Sequence, residues 1–250
     1  MMNFPILLFV PTVLVLWLAA SSGAILSQRR PLQEGERNDF GIVQGAALTL
    51  LALLIGFTFS MATTRYDLRK NYEEAEANAI GTEYVRAGLL PHEVAARVQE
   101  QLRLYTDLRI AFYKTRRGDE LRRINDDTAQ LQAEMWKAVQ DAALAQPTPL
   151  MALAAAGMND VLNSQGYTQA AWWNRIPSAA WVLLFFTAVG CNVLVGYGSH
   201  ASKVSAALLV IMPVLVAVSF LLIADIDSPR GGLIHVAPQN LTALWGSLHP

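Results

Sequence analysis

Only one cysteine, Cys191, occurs in the chain, and it lies inside an apolar run. An intrachain disulfide is therefore excluded, and zinc patterns built from Cys and His are absent. The four histidines, His92, His200, His235 and His249, are scattered, and "PHEVA" lacks the second His of a zinc-protease helix. No serine nucleophile elbow, Walker loop or calcium-loop spacing occurs, and "RGGL" is too short and wrongly placed to cradle a phosphate. Charge is scarce, at 16% of residues, and nearly balanced, with a formal net charge of -1. No overall basic field calls for nucleic acid. Strand signals are weak throughout. Titratable groups do not converge into a pocket in the sequence pattern, so neither an enzyme nor a resident metal or cofactor is expected.

What the chain has is oil, bunched into runs. Residues 4–26, 40–62, 176–198 and 204–223 contain no Lys, Arg, Asp or Glu. A hydrocarbon core of roughly 30 Å needs about 20 apolar residues as helix. A buried soluble helix rarely stays uncharged that long, so four transmembrane helices are expected. The first run exceeds a signal-peptide core, and its n-region "MMNF" carries no Lys or Arg, which favours a retained span. Between spans two and three lies a polar block, 63–175, with 14 of the 19 basic and 15 of the 20 acidic residues. The expected division is thus 1–62 for spans one and two, 63–175 for a helical extramembrane domain, 176–224 for spans three and four, and 225–250 for a tail rich in Gly and Pro. A tight turn is expected over 199–203. Lys and Arg near the span ends lean only slightly towards a cytoplasmic middle block.

Within the block, 63–87 reads as a charged helix with a thin apolar stripe at Leu68, Tyr72, Ala75, Ala79 and Thr82. Gly88 and Pro91 mark a turn. Val94, Val98, Leu102, Tyr105, Leu108 and Phe112 then recur at three and four, one face of a helix. After a break at Gly118, Leu121, Ile124, Thr128, Leu131, Met135, Ala138 and Ala142 form a heptad-like seam, suited to an internal helix contact or a subunit interface. Pro147 and Pro149 end that helix, and a short helix over 150–163 follows. Trp172, Trp173 and Trp181 read as an aromatic belt beside span three. Asn192, polar at membrane depth, is expected to bond to another helix, and Cys191 to serve packing.

The second span carries the sharpest pattern. Gly41, Gly45, Thr49, Ala52, Gly56, Ser60 and Thr63 recur at steps of 4, 4, 3, 4, 4 and 3, which puts them on one helical face. Two uses are open. Small residues let helix backbones approach closely, or the stripe lines a water-filled path when several copies surround an axis. The helix then continues without Pro into Arg65, Arg69 and Lys70. In a ring these would repeat as a basic mouth and bias it towards anions; the bland alternative is interfacial snorkelling. Glu73, Glu74 and Glu76 stand at i,i+4 from the bases or beyond. After span four, "DIDSPRGG" offers Asp225, Asp227 and Arg230, either as a turn or as part of an ion-path mouth.

The stretch "GFTFSMATTRYDLRKNYEEAEANAIGTEYVRAGLLP" resembles the signature of the bestrophin-like family of bacterial multi-pass membrane proteins, long catalogued as a domain of unknown function. "LRLYTDLRIAFY", "NRIP" and "DIDSPRGGL" resemble further blocks of that family, so the resemblance covers roughly 40–237. It implies an all-α membrane protein of four spans with a helical insertion. Bestrophins are oligomeric chloride channels, so it also implies a homo-oligomer in the cell membrane handling chloride or other small ions. Two functions are carried forward: an oligomeric ion channel leaning to anions with span two lining the path, and a non-conducting membrane scaffold or regulator acting through its helical domain.

Overall fold

The computed structural model describes residues 6–199 and 203–249. The expected start of the first span at Phe4, most of the turn over 199–203, and His200 lie outside the described residues. Every regular element among the described residues is helical. They run α1 (Ile6–Arg29), α2 (Glu34–Arg86), a 3₁₀ turn (Ala87–Leu89), α3 (His92–Lys114), α4 (Gly118–Ala145), α5 (Pro149–Trp173), α6 (Ser178–Gly198), α7 (Lys203–Asp227) and α8 (Gln239–Leu248). Four stretches are long and apolar enough to cross a membrane, within Phe9–Arg29, Glu34–Leu89, Pro149–Gly198 and Leu209–Asp227. The chain forms two compact units, Met1–Arg65 with Arg175–His235, and Tyr66–Asn174 with Val236–Pro250.

In the first unit α1, α6 and α7 pack on one another. Leu16, Leu184, Ala188, Cys191, Val216 and Phe220 form the core, joined by Leu51 of α2. Lipid tails are as apolar as Leu, so helices here associate through dispersion contacts and shape rather than through release of water. The closest approach is between α1 and α6. A Cβ on Gly196 would overlap the Ala20 carbonyl, and one on Gly23 would overlap the Val193 carbonyl. Only a residue without Cβ fits either place. Cys191 is buried and donates through Sγ to the Ala47 carbonyl at 3.3 Å, a packing role as expected. Asn192 departs from expectation: its Nδ2 donates to Ala188 O, 2.8 Å away, on its own helix. One turn of helix supplies the acceptor a distant helix was expected to give.

In the second unit α3 packs on α4, α4 on α5, and α8 on α3. The two periodic seams face inward. Val98, Leu102, Tyr105 and Phe112 of α3 meet Ile124, Met135, Ala138 and Ala142 of α4 in one core. Each large aliphatic or Phe side chain among them, fully buried, contributes roughly 1.5–3 kcal/mol. Thr148 accepts from Met151 N at 3.3 Å and caps α5, with Pro149 at its first position.

Two sequence expectations are corrected here. The helix after Pro149 does not stop near residue 163 but runs to Trp173. Trp172 explains it: the indole is buried, with ring centroids 5.0 Å from Phe112 and 5.3 Å from Tyr113. Trp172 is therefore core rather than aromatic belt, whereas Trp173 is exposed. The last part of the tail forms α8 and buries Leu241 and Leu248.

Overpacking at the α1–α6 crossing should be costly. Gly196→Val forces two backbones apart and is expected to cost at least about 1–3 kcal/mol. Gly45→Ala, where an added Cβ meets nothing within 4 Å, should leave stability unchanged or slightly raised. Thermal unfolding of the purified protein in detergent distinguishes the two.

Candidate functional site

Beyond the apolar run, α2 buries its charged face. Arg69, Glu73, Glu76, Ile80, Glu83 and Ala87 follow at steps of 4, 3, 4, 3 and 4, and all are buried. The stripe expected to face inward does the opposite in part: Leu68, Ala75 and Thr82 are exposed, and Tyr72 and Ala79 are only half-buried. Hydropathy misassigns the face because each buried carboxylate with a partner has been provided for by residues far away in the chain.

Glu76 and Arg109 of α3 form an ion pair with no exposed surface on either side chain. Thr168 of α5 donates to Glu76 Oε2 at 3.1 Å, and Tyr113 donates to the same oxygen at 3.4 Å. The Arg109 guanidinium lies 4.4 Å from the Phe112 ring centroid. Desolvating two ions costs several kcal/mol each, and only such added partners offset it. Burial, the largest influence, lowers the Arg109 pKa, but the Glu76 charge, Tyr105, the Glu76 hydrogen bond and Tyr113 together outweigh it, and the net direction is upward. Burial, and then Glu76, push the Tyr105 and Tyr113 hydroxyls up, so both stay neutral; Tyr105 accepts from Gln132 Nε2 at 3.0 Å. Glu73 reaches another element. Its Oε1 accepts from Leu241 N at 2.9 Å and its Oε2 from Asn240 Nδ2 at 2.7 Å, at the first turn of α8. At the other end of α8, Arg103 Nε donates to Leu248 O at 2.9 Å. Sequence spacing could not have shown these pairings, which join residues 33 to 168 positions apart.

The small-residue stripe has the opposite character. Gly41, Gly45, Thr49, Ala52, Gly56 and Ser60 are exposed, and Thr63 is half-buried. A Cβ added at Gly41, Gly45 or Gly56 meets nothing within 4 Å. The buried line of the helix is Leu51, Thr58 and Ala62. Within the chain the stripe is thus not a helix-packing face; that use of glycine falls to Gly23 and Gly196. Ile42, Val43, Leu50, Leu53, Phe57 and Phe59 are exposed as well, so the stripe is the small-residue part of a wide uncovered arc. Both threonine hydroxyls of the stripe are satisfied by its own helix: Thr49 Oγ1 donates to Gly45 O at 2.9 Å and Thr63 Oγ1 to Phe59 O at 3.0 Å.

Of the three bases read as a mouth, Lys70 is exposed, Arg65 is half-buried and Arg69 is buried. Asp67 and Glu74 share the exposed side with Lys70. Asp225 and Asp227 are buried, and their oxygens accept backbone N–H groups. Asp225 takes Leu233 N at 2.9 Å and Ile234 N at 2.8 Å, while Asp227 takes Ile176 N at 3.2 Å. A Cβ on Gly232 would overlap the Asp225 carboxylate, so the glycine of "RGGL" makes room for that turn. Arg230 is half-buried. This constellation organises chain geometry at the end of α7. No group of three His, Cys, Asp or Glu that could hold a metal ion occurs among the described residues.

The family model described as the bestrophin-like domain matches residues 14–241. The chain belongs to the bestrophin-like family. No curated protein matches it. Among solved structures, this bestrophin-like chain is similar to a bacterial bestrophin homologue from Klebsiella pneumoniae. Identity is 15%, with 96% of this chain and 95% of that one covered at a TM-score of 0.66. A point variant of that homologue matches at 14% identity over 96% of this chain and 95% of that one, with a TM-score of 0.68. At such identity the likeness establishes the bestrophin fold.

Arg109→Leu strands the Glu76 carboxylate in the core and is expected to cost about 3–5 kcal/mol. Replacing both partners together, Glu76→Leu with Arg109→Leu, should recover most of that loss. Denaturant unfolding of the two variants beside the parent checks the difference.

Proposed function

We propose that this chain crosses the cell membrane four times and assembles as a ring of copies whose α2 helices line an ion path. One observation carries the reading. Of the four membrane-crossing candidates, the one containing α2 is the least covered by its own chain, with 6% of its apolar window buried against 22–39% for the others. A helix lining a shared axis has that character, and it is the helix bearing the small, hydroxyl-bearing face. Membership of the bestrophin-like family supports the reading. The path starts from Gly41, Gly45 and Thr49, continues through Ala52, Gly56 and Ser60, and reaches Thr63. The helical unit Tyr66–Asn174 with α8 lies outside the bilayer, on the cytoplasmic side.

The anion preference rests on Lys70, with Arg65 a turn and a half nearer the bilayer. Rings of such bases favour anions, and rings of Asp67 and Glu74 on the same side oppose them. Selectivity is the balance of the two signs, with chloride the simplest permeant ion. A second reading, a non-conducting scaffold, draws on an exposed groove between α3 and α4. Leu104, Leu108, Ala111 and Leu131 line it, and Asp107, Asp127 and Glu134 rim it.

Planar-bilayer recording of the purified protein separates the two. Conduction is expected, with Lys70→Glu moving the reversal potential towards cation selectivity and Ser60→Cys becoming sensitive to a charged thiol reagent in a Cys191→Ala background. Absence of current under every ionic condition, or a monomer in detergent, overturns the channel reading and leaves the scaffold.

A further inference from the structure

Glu83 is the one carboxylate of the α2 seam for which no donor is provided. It has no exposed surface, and neither oxygen has a hydrogen-bond partner among the described residues. Its end lies against Gly157 of α5, where a Cβ would overlap Glu83 Oε2. The same added Cβ would stand 2.8 Å from Arg86 Nη1, so both side chains share the notch that this glycine leaves. Arg86, one turn further along α2, instead reaches Asp160 of α5, Nη1 to Oδ2 3.8 Å. Asp160 is two-thirds exposed and Arg86 one-third.

We propose that Glu83 is a proton-binding site whose occupancy decides which carboxylate Arg86 pairs with, and so whether α2 and α5 are clamped at this point. An ionised carboxylate with no hydrogen-bond donor in a buried notch is far costlier than a neutral acid. With the proton on Glu83, Arg86 spans to Asp160 and ties the two helices together. When Glu83 releases its proton to water, the new charge lies beside the Arg86 guanidinium in the notch. Arg86 then turns inward to it, and Asp160 is left to solvent.

The surroundings supply no rival partner. On α5 the neighbouring buried positions are Ala154, Met158 and Val161, and Asp160 is the charge acting on the site. On α3 the buried positions include Val98 and Leu102, with Glu93, Arg97 and Glu100 exposed. One stretch back on α2, Glu76 is occupied by Arg109. Burial pushes the Glu83 carboxyl up to about 8, with Arg86 pulling it down and Asp160 adding to the rise. The folded unit therefore holds this proton more tightly than the unfolded chain does. Stability from this group is fullest below the ordinary carboxylate range, falls as pH rises towards about 8, and is level beyond. The site does not depend on whether the chain conducts.

Infrared difference spectroscopy of the full chain in lipid, titrated from about pH 5 to about pH 10, reads the protonated carboxyl directly. The expected result is a carboxylic-acid band lost with a midpoint near 8 and absent in Glu83→Gln. Asp160→Asn, which removes a like charge and releases Arg86, should lower the midpoint by about one pH unit, tenfold in proton affinity. Arg86→Gln should raise it by a similar amount. These two variants decide the matter should Glu83→Gln fail to fold. A band titrating in the ordinary carboxylate range, or a midpoint that neither variant moves, overturns the proposal.

Discussion

The second unit depends on a buried ion pair. Glu76 and Arg109 are removed from water together, and Thr168, Tyr113 and the Phe112 ring close around them. Such a pair contributes little net energy over an apolar replacement, yet losing one member leaves an uncompensated charge. Its contribution is register. Arg109 fixes α3, and Thr168 fixes α5, against one oxygen pair on α2. The aliphatic side chains of the surrounding seams carry no such directional bonds of their own. Glu73 does the same for α8 through Leu241 N and Asn240.

α2 is one helix with two opposite solutions to burial. Its apolar part exposes a wide arc in the single chain, while its charged part buries a seam of carboxylates. The inversion follows from what surrounds each part. Hydrocarbon or another copy can cover Gly41 to Ser60 at no cost, since the Thr49 hydroxyl bonds its own helix. In the charged part, Glu73 and Glu76 have their partners built in, from α3, α5 and α8. A continuous helix from Glu34 to Arg86 is therefore compatible with both.

Much of the architecture was legible in residues alone. Four uncharged runs announced the apolar helices, and the three-and-four spacing from Val98 to Phe112 and from Ile124 to Ala142 announced the seams of α3 and α4. The buried face of α2 was not legible, because hydropathy assigns Glu73, Glu76 and Glu83 to solvent, and the partners of Glu73 and Glu76 lie far along the chain. Trp172 was misread for a related reason: a tryptophan beside an apolar run suits an interface, and only the positions of Phe112 and Tyr113 reveal a core. The small face of α2 was readable as a face, whereas what covers it depends on atoms outside the single chain. For Asp225 and Asp227 the residues left a turn and a mouth open, because sequence shows charge but not the backbone N–H groups that these carboxylates accept.

The Glu73 contact also sets an order of events during synthesis. That carboxylate is made early, while Asn240 and Leu241 emerge 167 and 168 residues later. Until the ribosome has delivered α6 and α7, Glu73 has no helix terminus to receive it. Loop-closure entropy delays so distant a contact, and a half-made core exposes apolar surface meanwhile. The nascent chain thus has to keep its second unit open, or shielded by a chaperone, until α8 has been made.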